Sequence, residues 1–236
     1  MSKTTFTIDA DNMSLFMTPE MQEILTPDNV KALKGFIGMV NDGLDVDKFF
    51  DIENALANHE VSAAQAAYVK SDPEVAKLFE ERYIAPTPDI DELLKLPKDS
   101  LGFAYASNLR AANFEQGFYP AVDIKNDVDY LNLRVRQTHD IWHAVTGYLY
   151  DLDAGIKLAG FQVAQNRSTS MVMFLAALFL YTIKTNGDFN HIANIIKEGF
   201  DVGCQAKPFL AQKWEEAWEK PIAQWRAELN VTSVRD

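Results

Sequence analysis

The residues with the clearest chemical potential form one short run, His139-Asp140-Ile141-Trp142-His143. Imidazole and carboxylate are metal-ligating groups, and two histidines four apart are neighbours on one helix face. A helix turns about 100° per residue, so the angles from His139 are about 40° to His143, about 60° to Arg136, about 80° to Gly147 and about 100° to Asp140. One arc therefore gathers two nitrogen ligands, a carboxylate that ligates or orients an imidazole, and a guanidinium fork suited to a carboxylate or phosphate. Gly147 leaves room above them. Two plainer readings stand beside this one. Either histidine could be a hydrogen-bonded core residue, and Asp140 could pair with Arg136 four residues earlier. The chain has 4 histidines, and finding two of them here favours the metal.

Nothing else in the chain competes with this run. His59 and His191 lack a carboxylate at a useful helical spacing, apart from Glu60 beside His59, and read as ordinary surface or core histidines. A His–Asp hydrolase would need a distant upstream histidine and a distant downstream aspartate, for which His59 and Asp188 are nominal candidates without supporting spacing. No phosphate loop or Gly-x-Ser-x-Gly elbow occurs. The single cysteine, Cys204, reads as a small packing residue and rules out an internal disulfide, which suits a reducing, cytoplasmic compartment.

The elements that position the run are expected to be helices. Thr18-Pro19 and Thr26-Pro27 place a capping hydroxyl before a proline suited to a first turn. Ser71-Asp72-Pro73-Glu74 has capping-box spacing from Ser71. Val128, Leu131, Val135, Trp142 and Val145 follow a helical period, and Gly43 and Ala85-Pro86-Thr87-Pro88 read as breaks. Helices are expected over 99–113, 127–150, 155–186, 189–204 and 208–229, with only Thr4 to Ile8 alternating like a strand. The 155–186 helix is apolar nearly all round and is expected to sit centrally. Within it, Phe174, Phe179 and Tyr181 read as core or as the lining of a lipid tunnel. The prediction is an all-α, single-domain helical bundle over 1–236, with a central apolar helix and a lipid-sized tunnel; 1–44 is an N-terminal helical segment.

Composition sets the outer bounds. With 236 residues and 47% hydrophobic content, the chain fills one core more readily than two. A net charge of −12 disfavours nucleic acid as a partner. The segment Met1 to Leu25 is acidic and resembles neither a signal nor a transit peptide. The charge-free run between Arg167 and Lys184 has 16 residues, short of the roughly 20 a membrane span needs.

With these residues laid out, a resemblance emerges. Arg136-x-x-His139-Asp140-x-x-His143-x-x-x-Gly147 resembles the signature of the Coq4 family of ubiquinone-biosynthesis proteins. Ser71-Asp72-Pro73-Glu74 with Leu78-x-x-Glu81-Arg82 is similar to the family's upstream helix, as is Leu93-x-x-Leu96-Pro97-x-x-Ser100-Leu101-Gly102-x-x-Tyr105 to its next segment. Ala206-Lys207-Pro208-x-Leu210, Trp214-Glu215-x-x-Trp218-Glu219-x-Pro221 and Arg226-x-Glu228-Leu229 resemble its tail. The matches run in order over about 70–229.

The resemblance implies an all-helical protein that binds a divalent metal, Mg or Zn, through His139, Asp140 and His143. It implies an apolar tunnel for a polyprenylated ring or isoprenoid lipid, with Phe161, Met171 and Phe174 as lipid contacts. It also implies oxidative decarboxylation of the ring, for which Arg136 would orient the carboxylate. Other quinone-biosynthesis proteins, a membrane surface on which the chain is peripheral, and a second copy in a homodimer are the expected partners. One position departs from the pattern. The family's glutamate, twelve residues after the second histidine, is Gly155 here, and Asp151 and Asp153 are the substitute ligands to consider. That departure opens the alternative of a non-catalytic isoprenoid-binding or scaffolding protein.

Overall fold

The structure is a computed structural model that describes residues 18–112 and 121–231. Among these residues the chain is helical with no strand; one isolated bridge joins Ser100 to Pro221. The Thr4–Ile8 expectation falls outside the described residues.

The N-terminal helices are α1 (Pro19–Ile24), α2 (Pro27–Asp42), α3 (Val46–Leu56) and α4 (Glu60–Val69). Thr18 and Thr26 cap α1 and α2 through their hydroxyls, as their Thr-Pro spacing predicts. Gly43 closes α2 at φ 97°, a backbone state open chiefly to glycine. Then follow α5 (Pro73–Glu81), α6 (Ile90–Leu93) and α7 (Leu101–Ala111). The cap of α5 is Asp72 rather than Ser71; its carboxylate accepts from both Glu74 and Val75 N–H.

The core is built around α8 (Asp127–Thr146). Asn126 and Asp129 form a reciprocal capping box at its start, and Gly147, in the left-handed region at φ 78°, ends it. Gly147 therefore serves as the helix stop, four residues beyond His143, rather than as space above the cluster. Tyr130, Leu131, Ile141, Trp142 and Val145 of α8 are buried against Leu158, Phe161, Phe209, Trp214 and Trp225.

The expected 155–186 helix is two helices, α9 (Leu152–Asn166) and α10 (Thr169–Lys184). The break is local. Arg167 takes a left-handed conformation at φ 50°, and the Ser168 hydroxyl caps the N–H of Met171. Helix α10 packs on α2 and α3 and, through Leu175 and Leu178, on α9 and on Ile195 of the next helix, but it is not enclosed all round: Val172, Leu180 and Ile183 are exposed. Its inner face joins Met39, Ile52 and Leu56 through Ala177.

Helix α11 (Phe189–Gln205) lies tightly on α9. A Cβ at Gly199 would collide with the Lys157 carbonyl, and one at Gly160 with the Ile196 carbonyl, so these glycines set the approach of the two backbones. Cys204, on α11, is exposed rather than packed. The expected 208–229 helix is two 3₁₀ turns, Phe209–Ala211 and Trp214–Glu216, followed by α12 (Ile222–Leu229). Pro208 and Pro221 precede the first turn and α12, where a missing N–H costs least.

Candidate metal centre

Helix α8 delivers His139, Asp140 and His143 to one point, and one ligand atom from each lies within 4.8 Å of the others. The two imidazoles meet edge to face, with ring centroids 4.9 Å apart. Each is held from behind. The Nδ1–H of His143 donates to the Tyr148 carbonyl at 2.6 Å, and since a carbonyl only accepts, Nε2 carries the lone pair. Nδ1 of His139 lies 2.8 Å from the Gln162 amide, whose Oε1 is otherwise buried without a partner. Turned by 180°, that amide accepts from Nδ1–H and leaves Nε2 of His139 as the ligating nitrogen. The donor set thus fits a divalent cation: two imidazoles anchored through Nδ1 and a carboxylate beside them.

Electrostatics agree with this fit. Burial pushes both imidazoles down to about 4, so both are neutral near pH 7, the form that ligates. The Tyr150 hydroxyl donates to Asp140 Oδ1 at 3.3 Å, and its ring lies 4.6 Å from that of His143. Burial, reinforced by Asp140, keeps the Tyr150 hydroxyl protonated.

These side chains line a cavity of 390 Å³. Its apolar wall includes Phe49, Phe50, Ile156, Met171 and Phe174. Met171 and Phe174 thus sit where a lipid contact would be. Phe161 does not: it is fully buried in the core, against Trp142 and Phe209. On α9, Phe161 lies on the face that meets the core, while Ile156, Ala159 and Gln162 line the cavity.

Arg136 also lines the cavity, yet it does not pair with Asp140 in the manner spacing allowed. Its Nε donates to Glu53 Oε1 at 3.0 Å, and its Nη2 donates to the same oxygen. The Phe50 ring lies under the guanidinium at 4.8 Å. Burial pushes the Glu53 carboxyl up from its ordinary range, and Arg136 opposes that shift. Among the polar residues of the site that sequence reasoning missed are Glu53, Tyr150 and Gln162, which touch Arg136, Asp140 and His139. Only Tyr150 is near the motif in the chain; the others arrive through folding.

The substitute ligands separate. Asp151 lines the cavity and is near enough for its charge to act on His143, but it caps α9 by accepting from Ala154 N–H at 2.8 Å. Asp153 is turned away from the cavity and contacts His191 Nε2 at 2.8 Å on the surface. Gly155 does line the cavity, and a Cβ there would meet nothing within 4 Å. His59 and Asp188 cap α4 and α11, which removes them as hydrolase partners.

The model of the coenzyme Q (ubiquinone) biosynthesis protein family Coq4 matches residues 60–235 of this chain. The chain belongs to the Coq4 family. A mitochondrial Coq4 homologue for ubiquinone biosynthesis in Aedes aegypti is 25% identical over 151 residues, covering 63% of this chain and 55% of that protein. The Saccharomyces cerevisiae Coq4 protein, also mitochondrial, is 28% identical over 152 residues, covering 62% of this chain and 44% of its own length. This Coq4 chain thus spans about half the length of the curated relatives it matches. A solved structure of a Nostoc punctiforme protein assigned to ubiquinone biosynthesis superposes with a TM-score of 0.77 at 31% identity, covering 88% of this chain and 100% of that one. No helix among the described residues of this Coq4 protein is long and apolar enough to cross a membrane.

Proposed function

We propose that this Coq4 protein holds a divalent metal through His139, Asp140 and His143. The adjoining cavity receives the ring of a polyprenylated quinone precursor for oxidative decarboxylation in ubiquinone synthesis. The observation that carries this reading is three ligating side chains within 4.8 Å, lining a 390 Å³ cavity with an apolar wall. That volume falls within the roughly 300–1,000 Å³ of small-molecule sites. It suits a ring and the first part of a tail. Two nitrogens and one oxygen suit Zn better than Mg, which favours oxygen ligands, and the metal would supply Lewis acidity when bound.

The chain's own residues do the rest. Arg136 orients the ring carboxylate, which leaves as carbon dioxide while a hydroxyl from water takes its place on the ring. Dioxygen, the co-substrate, accepts the two electrons and the protons and leaves as hydrogen peroxide. Phe49, Phe50, Ile156, Met171 and Phe174 seat the tail and keep water from the ring. The protein works peripherally at a membrane surface, where its lipid substrate resides, beside other quinone-biosynthesis proteins. Replacing His139 and His143 by alanine removes both metal binding and product formation; a fully active double variant would sink the idea.

Gly155 favours a second reading, a non-catalytic isoprenoid-binding or scaffolding protein, because among the described residues no carboxylate comes within 4 Å of where its side chain would begin. Under that reading a prenyl lipid co-purifies with the chain and stabilises it, and no turnover follows with metal present. Mass spectrometry of the purified chain, paired with a product assay, separates the two.

A further inference from the structure

The cavity wall holds a charge pair that the metal site does not use. Among the described residues lining the cavity, Arg136 is the one arginine or lysine, set against Asp45, Glu53, Asp140 and Asp151. Among the described residues, an anionic head group entering the cavity therefore has Arg136 as its cationic side chain to meet. Glu53 already engages it: Nε and Nη2 both converge on Glu53 Oε1. Asn54 accepts a longer bond from Nη2 at 3.4 Å, and the Phe50 ring supports the guanidinium face.

All three of these partners come from α3. This helix brings a carboxylate and an aromatic face to the arginine much as a bound aromatic acid would. Both members of the pair are buried, at 6% and 8% exposure. The Glu53 carboxyl is raised by burial and restrained by Arg136, so its charge depends on keeping that partner.

We propose that Glu53 is an internal stand-in for the ligand's carboxylate. It occupies Arg136 until a carboxylate-bearing head group enters the cavity and takes the guanidinium from it. The pair thereby sets how strongly the site prefers an acid over a neutral ring of the same shape. Helix α3 precedes the family-matched residues 60–235, so this selectivity is contributed by a part of the chain that the family motifs do not cover. The inference rests on the proposed reading of the cavity as the site of a carboxylated ring.

The test uses the full chain and two probes, 3-geranyl-4-hydroxybenzoate and its primary amide, titrated calorimetrically. Glu53→Gln removes the competing charge while keeping the shape. It is expected to raise affinity for the acid about tenfold, because the guanidinium no longer has to leave the Glu53 carboxylate to bind the ligand, and to leave the amide unchanged. The neutral double variant Glu53→Gln/Arg136→Gln avoids an unpaired buried charge and keeps the assay readable should the single variant fold poorly. It is expected to bind acid and amide alike. A native chain that binds both probes, with an acid-to-amide ratio unmoved by Glu53→Gln, overturns the stand-in role alone. Retained acid preference in the double variant does the same. A native chain that binds neither probe overturns the proposed reading of the cavity along with it.

Discussion

Helix α8 carries two buried arginines two residues apart, and they do different work. Arg134 faces the C-terminal turns: its Nη1 donates to Glu215 at 2.9 Å and to Gln137 at 2.9 Å, with Glu215 itself only 5% exposed. Arg136 faces the cavity and is held by Glu53 of α3. The residue types match, and so does their chemistry. What differs is what lies beyond each pair: packed core in one case, the cavity beside His139, Asp140 and His143 in the other. A buried arginine–glutamate pair is therefore not a functional signal by itself. The cavity makes one pair a site feature and leaves the other a fastening.

The largest effect should come from the fastening. Glu215→Ala strands Arg134 in the core and is expected to cost about 3–5 kcal/mol of stability. Urea unfolding reads this directly, and the folded fraction should bind metal as the native chain does. Metal affinity lost in proportion would erase the distinction between the two pairs.

The cavity side of α8 should respond to acid. Its two imidazoles sit at about 4 when folded and recover their ordinary values near 6.5 when unfolded. Between those pH values the unfolded chain binds protons that the folded chain refuses. Stability of the chelator-treated chain should thus fall as pH drops from about 6.5 to 4, by at most roughly 3 kcal/mol per imidazole. His139→Gln/His143→Gln should flatten this window. An unchanged pH profile in that variant would place the acid sensitivity elsewhere.

Glu53→Ala should cost less than Glu215→Ala, about 1–3 kcal/mol, because the cavity lets water reach the guanidinium that Glu53 no longer covers. Equal losses in the two variants would contradict the comparison. The smallest effect belongs to Gly155. With open space around a Cβ and an ordinary helical backbone, Gly155→Ala should stabilise α9 by up to about 1 kcal/mol. Thermal denaturation checks the sign; a loss would mean the glycine is needed for packing, as Gly199 is.

The cluster of His139, Asp140 and His143 was legible in the sequence because its members share one helix. Spacing alone brings His139 and His143 to one face, and the structure places Asp140 with them. Glu53 and Gln162 were not legible, because each reaches the site from another helix and no local pattern encodes that approach. Arg136 was correctly placed beside the cluster, but its partner could not be read from its own helix. The all-helical fold followed from periodicity, while the division of α9 from α10 was missed. The signal was present in Ser168, whose hydroxyl caps Met171, but the largely apolar run that follows it, Met171 to Ile183, outweighed it. The same run suggested a central helix. Apolar composition does not distinguish a helix buried all round from one that leaves Leu180 and Ile183 exposed at its flank.

X-ray absorption spectroscopy of the zinc-loaded full chain tests the central claim most directly. The account predicts a zinc shell containing two imidazole nitrogens, with both imidazole signatures lost in His139→Gln/His143→Gln. A shell of oxygen alone in the native chain, or an unchanged imidazole signature in that variant, would contradict it.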